Sequence, residues 1–151
     1  MLKRTIPGII ALLFVVLFLY TGISKLMEYS SFKEQIATSP ILAPIAPIVA
    51  WALPLAEFAV AIALFIPAWR LRGLYASFAL MLLFTGYIIA ILSFSEELPC
   101  SCGGVLEEMS WDQHLIFNIT FTLLSIAGAI LEKKRRKAKN TGNNDAAFSL
   151  T

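Results

Sequence analysis

Charge is what this 151-residue chain has least of: 12 Lys and Arg and 10 Asp and Glu make 15% of the residues, against about a quarter in soluble domains. Hydrophobic residues make up 58% and mean hydropathy is +0.77. A globule of this size cannot enclose that much apolar surface, so a water-soluble single domain is excluded. The same hydrophobicity excludes low-complexity disorder. Histidine occurs once and cysteine twice. Two cysteines make neither a four-ligand zinc site nor a relay of two cysteine pairs. Six of the twelve basic residues crowd into Lys133 to Lys139 instead of lining a folded surface, so no nucleic-acid partner is expected.

The uncharged stretches are long enough to cross a membrane. No charge falls in the 20 residues between Arg4 and Lys25 or in the 23 between Arg72 and Glu96. Asp112 and Glu132 bracket 19 more, and Glu57 is the single charge between Glu34 and Arg70. A helix rises about 1.5 Å per residue and the hydrocarbon layer is about 30 Å thick. Open strands would leave backbone groups unpaired in lipid, and period-2 alternation is absent. The expected fold is therefore an all-α integral membrane protein, a four-transmembrane-helix bundle with helices at about 6–24, 46–68, 73–94 and 112–131. Residues 1–132 form the membrane domain. Residues 133–151, a basic cluster followed by Asn140 to Asn144, are expected to be a solvated, disordered tail. The first apolar run exceeds a signal-peptide core and lacks an A-x-A-like site after it, so it is expected to stay as a helix.

The basic residues set the expected orientation. Lys3, Arg4, Arg70, Arg72 and the six of the tail fall at one side of the membrane, and only Lys25 and Lys33 at the other. By the positive-inside rule both termini are cytoplasmic. Loops at about 25–45 and 95–111 then face the periplasm or its equivalent. Pro40, Pro44 and Pro47 suggest that part of the first loop lies at the interface. Trp51, Trp69 and Trp111 fall near helix ends, as interfacial anchors do.

The second outer loop contains Leu98-Pro99-Cys100-Ser101-Cys102-Gly103-Gly104 and four glutamates, Glu96, Glu97, Glu107 and Glu108. One intervening residue puts the two Cα atoms at about 5.5–7 Å in a turn, the edge of what a disulfide accepts. So small a ring constrains the unfolded chain little, which argues against a stabilising staple. A strained disulfide is more readily handed to another thiol, and an oxidising compartment permits the exchange. The glutamates oppose thiolate formation by like-charge repulsion, unless the following helix N-terminus offsets them. A passive pair remains open. So does a soft-metal site drawing on Cys100 and Cys102 with His114 or Met109, although no metal is expected from two cysteines alone.

Ser110-Trp-Asp-Gln113 has capping-box spacing. Beyond it His114, Asn118, Thr122 and Ser125 recur at helical spacing, forming one polar face. That face would either join helices by hydrogen bonds or line a quinone head group or proton path. Glu57 lies near mid-membrane, where an unpaired charge costs several kcal/mol. Lys25 is the nearest cation whose stem can reach inward, and Pro54 can free a carbonyl beside it. Ala52, Ala56, Ala59 and Ala63 form a small-residue stripe suited to close helix approach.

Gly22-x-x-Lys25-Leu, Glu57, Cys100-Ser-Cys102-Gly-Gly, Trp111 and Asn118 together resemble the DoxX-like superfamily, and within it the redox-associated branch typified by MauE. The resemblance covers about residues 1–132. It implies a four-helix bacterial inner-membrane protein working with periplasmic thioredoxin-like partners in disulfide formation or maturation of exported proteins. It is not close to the disulfide-generating quinone reductases, which need a C-x-x-C and a further cysteine pair. The expected function is thiol–disulfide exchange by Cys100 and Cys102, as a component of a thiol–disulfide oxidoreductase system, with Lys25, Glu57, His114 and Asn118 ordering the bundle. The partner would be a periplasmic thioredoxin-like protein or an exported substrate protein. A non-enzymatic scaffold or a copper- or zinc-handling protein are the alternatives. The sequence assigns no cofactor, a quinone being one candidate.

Overall fold

A computed structural model describes residues 2–39, 41–94 and 110–148. The described chain is helical, without strands, and comprises α1 (Leu2–Met27), α2 (Tyr29–Thr38), α3 (Ala46–Phe65), α4 (Arg70–Phe94) and α5 (Trp111–Phe148), with a 3₁₀ turn at Ala43–Ile45. Four helices carry spans long and apolar enough to cross a bilayer: Thr5–Met27, Ala43–Phe65, Arg70–Ala90 and Asp112–Thr141. α1 packs chiefly on α3 and α4 on α5, and further α3–α4 and α1–α5 contacts close the bundle.

Lipid tails are as apolar as leucine, so dispersion and close approach, not water exclusion, hold such helices together. The main core accordingly interdigitates Phe14, Phe18, Val60, Leu64, Leu74 and Met81. Phe14 meets Phe121 edge-on with ring centroids 5.4 Å apart. Outward, large apolar residues such as Leu12, Val16, Ile62, Leu83 and Leu123 are more than half exposed, as a lipid-facing surface requires. Gly73 marks a close crossing: a Cβ there would stand 2.9 Å from the Leu64 backbone nitrogen, closer than real Cβ atoms approach.

Three differences from the sequence expectation stand out. The second span ends at Phe65 instead of about 68, because Ile66 precedes Pro67 and is pushed into extended backbone (φ −79°, ψ 116°). The first outer loop is not an irregular interfacial segment throughout. Ten of its residues form α2, which buries Phe32 and Ile36 against Ala46 and Ala50 of α3 in a second, smaller core. The third departure is the basic stretch after Leu131. Expected as a disordered tail, it continues α5 to Phe148, since Lys, Arg and Ala are strong helix formers and Glu132 pairs with bases three and four residues on.

The small-residue stripe of α3 is also not its packed face. Ala52 and Ala59 are exposed, while Ala46, Ala50, Pro54, Glu57, Val60, Ala61 and Leu64 are buried. α3 runs unbroken through Pro54.

Candidate functional site

Two buried charges meet inside the bundle. Lys25 Nζ of α1 donates to Glu57 Oε1 of α3 at 2.8 Å, with only 7% and 1% of the two side chains exposed. Helical Cα–Cβ bonds tilt toward the N-terminus, so the Lys25 stem runs back along α1. Its ammonium also reaches the Thr21 carbonyl at 3.5 Å. Phe32 of α2 and Phe84 of α4 set their rings 5.8 and 5.9 Å from the ammonium, within the range of a cation–π attraction. Lys25 is thus held by groups from four helices.

Glycine at position 22 permits this meeting. A Cβ there would sit 3.1 Å from the Phe58 ring and 3.4 Å from Glu57 Oε2, so a larger residue would push α3, and the carboxylate with it, away from α1. Glu57 itself is fully buried. Its Oε2 has no hydrogen-bond partner among the described residues. The Thr21 hydroxyl lies beside the carboxylate but donates to the Leu17 carbonyl at 3.0 Å.

α5 adds the fifth side of the cluster. The reciprocal cap at its start is formed: Ser110 N–H donates to Gln113 Oε1 at 3.2 Å, and Gln113 N–H to Ser110 Oγ at 3.4 Å. One turn in, His114 is buried (7% exposed) and near enough to Lys25 to feel its charge. Asn118, 2% exposed, donates to the His114 carbonyl at 3.0 Å. Thr122 and Ser125 likewise donate to carbonyls of α5, those of Asn118 and Thr122. These polar groups face inward but spend these donors on their own helix, which is how a polar residue is made compatible with lipid depth.

Lys25, Glu57, His114 and Asn118 therefore occupy one half of the bundle. Cys100 and Cys102 lie outside the described residues, as does Met109; the segment bearing them runs between the end of α4 at Phe94 and the cap of α5 at Ser110. His114 is twelve residues beyond Cys102 in sequence.

A second ionic group stands elsewhere and escaped the sequence reading, where Glu132 served only to bound a helix. Glu132 is fully buried. Arg135 grips it with both Nε (2.9 Å) and a terminal nitrogen (2.7 Å), and Arg136 Nε adds a third contact at 3.2 Å. Arg136 also donates to the Pro67 and Ala68 carbonyls, each at 2.9 Å, tying α5 to the α3–α4 turn. The i,i+3 and i,i+4 spacing of Glu132 to the two arginines was a readable signal for the local part; the turn carbonyls were not.

Among protein families, the one described as methylamine utilisation protein MauE matches residues 3–131. No curated protein and no solved structure matches the chain.

Proposed function

The chain belongs to the MauE family, and from that membership we propose that it is a membrane-embedded accessory that exchanges thiols and disulfides through Cys100 and Cys102. It lies in a bacterial inner membrane with both termini cytoplasmic, where the excess of Lys and Arg at one side favours them. The cysteine segment then faces the periplasm. In each turnover Cys100 and Cys102 pass between dithiol and disulfide, exchanging two electrons and two protons with the cysteine pair of a thioredoxin-like partner or an exported substrate. A thiolate attacks one sulfur of the opposing disulfide, and the resulting mixed disulfide is resolved by the second thiol. The family's description, methylamine utilisation, supports an accessory role in that process, and the work proposed for the exchange is maturation of an exported, disulfide-bonded protein.

The observation that carries this reading is the buried Lys25–Glu57 pair of α1 and α3, whose charge reaches His114 on the first turn of α5, the helix that follows the cysteine segment in sequence. Buried ionic pairs are a costly way to gain stability, so their use here fits a bundle that must hold one fixed register. His114, on the first turn after that loop, is an imidazole within chain reach of the thiols and suited to proton transfer.

A Cys100→Ser/Cys102→Ser variant should leave exported proteins with unformed disulfides while the protein still inserts. Unchanged disulfides in that strain would overturn the exchange reading. If a partner copurified equally well with the variant, a scaffold role would take its place. A membrane-impermeant maleimide should label Cys100 and Cys102 from the outside of intact cells after reduction; labelling only after lysis would reverse the orientation.

A further inference from the structure

Beyond the cysteine chemistry, we propose that the junction of α5 with the α3–α4 turn is a binding site for the phosphate headgroup of an anionic phospholipid. A cavity of about 890 Å³ opens there, lined by Pro67, Ala68, Leu131 and Ala138 and by Lys134, Arg135, Arg136 and Lys139. That volume accommodates a glycerophosphate headgroup with the first carbons of its chains.

The charge around the cavity is unbalanced. Glu132 is the one acid of this cluster, and its two oxygens are already taken by Arg135 and Arg136. Arg136 is further fixed on the Pro67 and Ala68 carbonyls. Lys134 and Lys139 make no ion pair or hydrogen bond among the described residues, and both are exposed. Two arginines held in place by a buried acid, flanked by two lysines with nothing to neutralise them, form a preorganised anion receptor. Arginine presents the planar donors that suit phosphate oxygens, and lysine adds mobile charge.

Its height in the membrane selects a lipid. Asp112 and Glu132 are twenty residues apart on one helix, about 30 Å at 1.5 Å per residue, the thickness of the hydrocarbon layer. The cationic groups therefore sit at headgroup level, at the far edge of the bilayer from Asp112. Leu131, Pro67 and Ala68 make an apolar wall on the same cavity. Phe65, Trp69 and Ile130, adjacent in sequence, are at least half exposed as lipid-facing residues are. A soluble anion would use the charges but not the wall. Basic pockets at this depth bind acidic headgroups in other membrane proteins.

The test titrates the detergent-solubilised full chain with phosphatidylglycerol or phosphatidylcholine of the same acyl length, counting retained lipid by native mass spectrometry. Phosphatidylglycerol should bind at least tenfold more tightly. Lys134→Gln/Lys139→Gln should weaken it by about thirtyfold, given the usual contribution of each basic residue near an acidic surface. Lys133→Gln/Lys137→Gln removes the same charge from positions that do not line the cavity and should cost less than threefold. Equal retention of the two lipids, or equal losses in the two double variants, would overturn the site. Displacement of phosphatidylglycerol by inorganic phosphate at matched concentration would overturn the lipid as occupant and leave a soluble-anion site.

Discussion

The two ends of this bundle solve the same electrostatic problem in opposite ways. Toward one end, Lys25 and Glu57 stand 32 residues apart in sequence on two different helices and are almost wholly buried. Toward the other, Glu132 is buried but its arginines are three and four residues away on the same helix, with 31% and 38% of their side chains exposed. The first pair exists only if α1 and α3 meet in one register. The second forms as soon as α5 forms, and only Arg136 carries its effect to another element. One end thus encodes tertiary specificity in a charge pair; the other uses charge locally and ties down a turn with what is left over.

That contrast makes quantitative demands. Removing one member of the deep pair strands the other in a low-dielectric interior, so Glu57→Leu should lower stability by about 3–5 kcal/mol. Lys25→Met/Glu57→Leu, which leaves no charge behind, should recover most of that loss in the same denaturant titration of helix content. A double variant no better than the single would show that the pair contributes net attraction as well as specificity. Gly22→Leu forces Phe58 and the Glu57 carboxylate off α1, and overpacking of this kind should cost about 1–3 kcal/mol.

At the opposite end the penalties should be smaller and unpaired. Arg136→Ala deprives the Pro67 and Ala68 carbonyls of their donor but leaves Glu132 held by Arg135, for a loss of about 1–2 kcal/mol. It should also raise hydrogen exchange at the α3–α4 turn without affecting α1. Back at the Lys25 end, Phe32→Leu keeps an apolar side chain on α2 and removes one aromatic face from Lys25, for about 0.5–1 kcal/mol. If Arg136→Ala proved as damaging as Glu57→Leu, the distinction between a tertiary and a local charge pair would fail.

The legible part of the fold was the part set by exclusion. Uncharged runs of twenty residues in a charge-poor chain admit few structures besides spanning helices, and Glu57 stood out because an acid at mid-membrane must find a partner. Lys25 could be named as that partner because its stem is long enough to reach inward and it lies closest among the cations. What the sequence did not disclose depended on packing between elements. α2 has little hydrophobic character beyond Phe32 and Ile36, and what it buries is decided by where α3 begins. Phe84 looks like any lipid-facing aromatic until α4 is set against α1. The basic stretch read as a solvated tail because net charge suggests disorder, whereas helix propensity and the grip of Glu132 on Arg135 and Arg136 carry α5 onward.

The chemistry assigned to Cys100 and Cys102 is tested most directly by a redox titration. The full chain in detergent would be equilibrated in thiol–disulfide buffers of defined potential, alkylated, and its free thiols at Cys100 and Cys102 counted by mass. The expected result is a reversible two-electron transition within the range of thioredoxin-fold exchange partners, roughly −120 to −270 mV. A pair that stays dithiol at every potential, or that reacts only after a metal is stripped from it, would contradict thiol–disulfide exchange as the function of this protein.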